Sequence, residues 1–140
     1  MGRMDRAKVF SVTVPAGGNP GPAILDALAF ARAFLGESAD DGPDPAKLLI
    51  VVEELVGNVL RHGAAGAPVT VRLELSRTSS GIALRLEDDG QPFDPVAARP
   101  TGDGATIVAG GVGLQLVREW ASDMDYRRDG ACNRLHLNLS

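Results

Sequence analysis

Two runs of alternating side chains limit what this chain can become more than any other feature. Val69, Val71, Leu73 and Leu75 are separated by polar residues, and Ile82, Leu84 and Leu86 repeat the pattern after Ser79-Ser80-Gly81. Successive side chains on a strand point to opposite faces, so each run carries one apolar and one polar face. The short turn between them makes the pair a hairpin. A sheet that is greasy on one side needs a layer over that side only. Two helical stripes can supply it. Ile24, Leu25, Leu28, Phe34 and Leu35 follow Pro22, which suits a first helical position, and a second apolar helix runs from Asp44-Pro45 to about His62.

The remaining elements fit the same plan. Val9 to Val14 reads as a strand stopped by Pro15 and Gly17-Gly18. Gly36 is expected to end the first helix in a left-handed cap, and Gly63 and Gly66 to end the second. Leu114 to Trp120 is helical in pattern. Met124 to Tyr126 and Leu135 to Leu139 form a last hairpin turned at Asp129-Gly130. Between Gly90 and Gly111 the pattern dissolves into Pro, Gly, Ala and Asp, which marks a lid over about 91–110. With no repeat and no linker, the 140 residues are expected to be one domain. The order predicts an α+β two-layer sandwich, with helices on one face of a mixed, mostly antiparallel sheet.

Charge and cysteine content exclude several classes. A net charge of −4 argues against a broad nucleic-acid binder. Cys132 stands alone, so no disulfide forms within the chain and a thiolate metal cage is not expected. No long apolar run follows Arg3, Arg6 and Lys8, which predicts neither a signal peptide nor a membrane span and makes the cytoplasm the default location.

Three motifs carry chemistry. In Leu49 to Gly63, Glu54, Asn58 and His62 each lie one helical turn apart and share a side of an apolar helix. If Val52, Leu55, Val56 and Val59 face the core, Asn58 lies at its margin and Glu54 points well away. A carboxylate and an amide carbonyl so placed can polarise a water and hold a hard cation such as Mg²⁺. Glu53 and Arg61 read as the solvated face, and His62 as favourable charge at a helix end. In Glu87-Asp88-Asp89-Gly90, an acid closing a strand with glycine two positions on can point into a pocket and accept hydrogen bonds from an amino group; the same pattern also makes an ordinary turn. Gly110-Gly111-Val112-Gly113-Leu114 opens a helix whose backbone N–H groups can face an anion. It lacks the lysine of a P-loop and the spacing of a dinucleotide fingerprint.

In this order the motifs resemble the ATP-binding fold shared by gyrase, heat-shock chaperone, histidine-kinase and mismatch-repair ATPases. Glu-Glu-Leu-Val-Gly-Asn-Val-Leu-Arg-His-Gly, Asp-Asp-Gly-Gln-Pro-Phe-Asp-Pro and Gly-Gly-Val-Gly-Leu-Gln-Leu-Val resemble the anti-sigma-factor serine kinases within that superfamily, as does Asp125 to Gly130. The resemblance implies ATP and Mg²⁺ as cofactors. It gives Glu54 the role of general base on an acceptor serine, Asn58 that of metal ligand, and Asp88 that of adenine contact. Gly90 would allow the turn under the base, and Gly111, Val112, Gly113 and Leu114 would border the phosphates. It implies a STAS-type anti-sigma-factor antagonist and a sigma factor as partners, and a homodimer. A nucleotide-binding module acting by docking alone is the alternative.

The chain departs from the pattern in three places. Gly57 stands where these kinases commonly carry Thr or Ser, and Arg99 is the one cation in the lid for a γ-phosphate. Cys132-Asn133 replaces a hydroxyl residue expected near the adenine, and Asn133 reads as the polar face of an edge strand. Trp120 and Tyr126 are expected to pack rather than to stack on a base.

Overall fold

A computed structural model describes residues 7–37, 43–62, 66–92 and 111–140. The central hairpin forms where the alternation places it, with Val69–Thr78 (β2) against Gly81–Asp88 (β3). Lys8–Val14 (β1) joins the outer side of β2. Cys132–Leu139 (β5) joins β3, and Ala121–Asp129 (β4) forms the far edge, giving the order β1-β2-β3-β5-β4. Every pairing is antiparallel, so the mixed sheet expected from the element order is antiparallel throughout its described strands. The order also moves Asn133 off any edge, because β5 lies between β3 and β4.

Among the described residues, three helices cover one face: Gly21–Gly36 (α1), Pro45–His62 (α2) and Gly111–Trp120 (α3). The inward residues of β2, β3 and β5 meet Leu48, Val51, Val52, Leu55 and Val56 of α2 in one core. Fully burying side chains of this size stabilises by roughly 1.5–3 kcal/mol each before chain entropy is subtracted. The aromatic rings of Phe10 and Phe30 stack at 5.6 Å, fixing α1 to β1.

Local chemistry sets the helix ends. Asp44 Oδ1 accepts the Ala46 N–H at 3.0 Å, an N-cap ahead of Pro45. Gly36 is still helical and Glu37 follows in right-handed conformation, so the left-handed cap does not form. Arg77 of β2 supplies the cap instead, donating to the Phe34 and Leu35 carbonyls at 3.4 and 3.3 Å. Gly81 has φ +153°, and a Cβ there would overlap the Leu139 carbonyl oxygen of β5. No described helix is long and apolar enough to cross a membrane.

Candidate nucleotide site

The helix layer and the sheet part between α2, the end of β3 and the β4–β5 hairpin. They leave a small cleft with a cavity volume of ≈ 20 Å³, partly open to solvent. Leu55, Val59, Leu86 and Leu135 make its apolar walls, and Asn58, Asp88, Tyr126 and Asn133 its polar groups. A few polar groups in an apolar cleft suit a flat, partly polar ligand.

Asp88 is the carboxylate of this cleft. It is 7% exposed, and its Oδ1 accepts the Gly90 N–H and the Asn133 side-chain N–H, both at 2.9 Å. Its Oδ2 has no partner among the described residues, while no buried side-chain oxygen or nitrogen lacks one. Oδ2 is therefore reachable from the cleft. Burial pushes the Asp88 carboxyl above its ordinary value of 3.8, against the opposing hydrogen bonds from Asn133 and Gly90. The negative charge of Asp89 adds to the rise, and Arg128 counters it. Gly90 is buried but is not among the described glycines with positive φ. The turn is held by the side-chain bond from Asp88 rather than by a left-handed backbone.

Asn58 lines the cleft and is bonded to Glu54 one helical turn before it. Asn58 Nδ2 donates to Glu54 Oε2 at 3.1 Å, which leaves Asn58 Oδ1 as the free acceptor of the amide. Asn58 is buried rather than marginal, and Glu54 is half-buried rather than turned well away. For Glu54 the cause is α3, which packs beside α2. A Cβ on Gly113 would overlap the Glu54 carboxylate, so this glycine makes room for the acid at the start of α3. Leu114 is buried one residue further on. Gly111 and Val112 form the first residues of α3, which therefore begins earlier than its periodicity suggested. His62 is exposed at the last turn of α2. Arg99 and residues 93–110 of the expected lid lie outside the described residues.

Sequence reasoning missed two groups. Asn133 is 4% exposed and hydrogen-bonded to Asp88, so it belongs to the cleft. Tyr126 lines the same cleft and donates its hydroxyl to Asn133 Oδ1. Arg61 is exposed, and its guanidinium lies over Gly57, where a Cβ would make this flexible side chain shift. The cation thus lies on the side of α2 that carries Glu54 and Asn58. A glycine inside a helix costs about 1 kcal/mol, and that oddity was the available signal.

This arrangement is that of an ATPase domain. A family model for the histidine kinase-like ATPase domain matches residues 22–139, and the chain belongs to that family. Among solved structures it is similar to the histidine kinase domain from Erythrobacter litoralis EL346 blue-light activated histidine kinase. The identity is 21%, covering 68% of this chain and 46% of that one, with a TM-score of 0.48. The chain therefore spans less than half the length of that protein. No curated protein matches it in sequence.

Proposed function

We propose that the chain binds ATP with Mg²⁺ and acts as an anti-sigma regulatory serine kinase, phosphorylating a STAS-type antagonist and sequestering a sigma factor when that antagonist is modified. The observation that carries the nucleotide reading is Asp88 Oδ2, an acceptor without a partner among the described residues, at an apolar cleft that Asn58, bonded to Glu54, also lines. Asp88 accepts the amine of adenine, and Leu55, Val59, Leu86 and Leu135 exclude water around the ring.

The donor set fits a hard cation. Asn58 Oδ1 would hold it. When bound there, Mg²⁺ would supply neutralising charge for phosphoryl transfer. The N–H groups at the start of α3, from Gly111, Val112 and Gly113, face the phosphates, with Leu114 anchoring that end in the core. Arg61, and Arg99 from the lid, contribute positive charge. Glu54 takes the proton of the acceptor serine as its oxygen bonds to phosphorus and ADP leaves. The half-buried carboxylate, held by the Asn58 amide, is fixed for that task. Homodimerisation and a cytoplasmic location complete the proposal.

Transfer of labelled phosphate from ATP to the cognate antagonist tests this reading, with Glu54→Gln beside the wild type. The amide keeps an acceptor for Asn58 but cannot take a proton. Transfer is expected to fall by about 10²–10⁴-fold while ATP binding persists. Undiminished transfer removes Glu54 as the base. Absence of transfer by the wild type favours a module that acts by docking alone.

A further inference from the structure

The side chain of Asn133 is held from every side. Its Nδ2 donates to Asp88 Oδ1 at 2.9 Å and to the Gln91 carbonyl at 2.8 Å, with the Gly90 carbonyl at 3.4 Å. Its Oδ1 accepts from the Tyr126 hydroxyl and from Arg128 Nη1, the latter at 3.0 Å. Arg128 also reaches the Gly90 carbonyl at 2.7 Å through Nη1 and the Gly130 carbonyl at 3.0 Å through Nε.

Donor and acceptor capacity make this arrangement directional. An amide nitrogen has two hydrogens, and both face acceptors here; its oxygen has two lone pairs, and both face donors. A tyrosine hydroxyl can donate or accept and would tolerate a flipped amide. The Asp88 carboxylate and the Gly90 and Gln91 carbonyls only accept and arginine only donates, so these groups together permit one orientation of Asn133. In that orientation the amide offers no free N–H to the cleft, and Asp88 Oδ1 is held, leaving Oδ2 as the group met by a ligand.

We infer that Asn133, locked by Arg128 from β4, is the positioning residue that makes this cleft select an amino-bearing purine over a 6-oxo purine. The inference rests on the adenine reading of the cleft. With Asn133 locked, a 6-oxo group meets the Asp88 carboxylate and no donor. Arg128 clasps both the amide oxygen and the Gly90 carbonyl, so its loss loosens the Gly90–Gln91 carbonyls that hold Nδ2 and lets an N–H turn toward the oxo base. Arg128 also fastens the chain at Gly90, two residues after Asp88, to the β4–β5 hairpin.

The test uses the full chain with Mg²⁺ and measures Kd for ATP and ITP in wild type, Arg128→Met and Arg128→Lys. Arg128 is largely outside the core, so the variants fold, and a melting curve checks this. Arg128→Met is expected to narrow the ATP-over-ITP preference by about tenfold, the worth of one charge-assisted hydrogen bond. Arg128→Lys, which keeps a donor, restores most of it. A Met variant that binds ATP with an unchanged preference overturns the inference while leaving the adenine reading intact. Wild type that binds neither nucleotide overturns both. In nucleotide-free protein, the Asn133 side-chain NH₂ exchanges slowly with solvent by NMR and faster in Arg128→Met. Equal rates overturn the lock independently of any ligand.

Discussion

Replacing Asp88 by Asn changes one atom type in the cleft and separates folding from binding. Asp88 Oδ1 accepts from Gly90 and Asn133, and an amide oxygen can accept both bonds. The bonds lose their charge assistance, roughly 1 kcal/mol each. Against that loss, the variant avoids burying a charge that the fold already disfavours. The nucleotide-free protein is thus expected to melt within a few degrees of wild type. At Oδ2 the effect is different. An acceptor becomes an NH₂ facing the amine of adenine, which removes a charge-assisted bond and strands two donors. The combined cost is about 3–5 kcal/mol, or roughly 10²–10³-fold or more in Kd. At an ATP concentration 100 times the wild-type Kd, ligand stabilises the wild type by about 2.7 kcal/mol. For a domain of this size that raises Tm by roughly 10 °C. The same concentration falls at or below the variant's Kd and yields a shift of about 2 °C or less. Thermal melts with and without Mg²⁺ATP decide the matter. A full ATP-dependent shift in Asp88→Asn would refute the assignment of this carboxylate to the base.

Three further outcomes follow from other residues. Because the folded pKa of Asp88 is raised, its contribution to stability is present below the ordinary value of 3.8 and lost as pH rises through the raised value. Asp88→Asn should therefore gain stability relative to wild type across that window, read from urea midpoints at stepped pH, while wild-type ATP affinity falls as pH drops through it. Gly81→Ala places a Cβ on the Leu139 carbonyl and should cost about 2–4 kcal/mol, seen as a lower urea midpoint; an unchanged midpoint contradicts the close approach of β3 and β5. Arg61→Ala should weaken binding of ATP and ADP by about tenfold and leave adenosine nearly unaffected, measured by calorimetry; equal loss for all three places Arg61 outside the phosphate region.

The parts of this molecule that sequence made readable are those governed by local period. Alternation in Val69–Leu75 and Ile82–Leu86 placed the central hairpin, and the stripe in α2 placed a helix with Glu54 and Asn58 on one side. What was not readable depends on contacts between distant segments. Glu54 is half-buried because α3 lies against α2. Asn133 looked like an edge residue because nothing local shows that β5 inserts between β3 and β4, where it meets Asp88 across the ladder. Gly36 looked like a cap because its helix is capped by Arg77 from another strand, which helical pattern does not encode. Gly57 was noticed as a departure, but the Arg61 guanidinium lying over it was not legible there.

Isothermal titration of the wild-type chain with ATP in the presence of Mg²⁺ bears most directly on the central claim. Saturable binding of one nucleotide per chain, weakened when Mg²⁺ is chelated and lost in Asp88→Asn, is the predicted result. Absence of saturable heat with folded protein would contradict the claim that this cleft holds ATP.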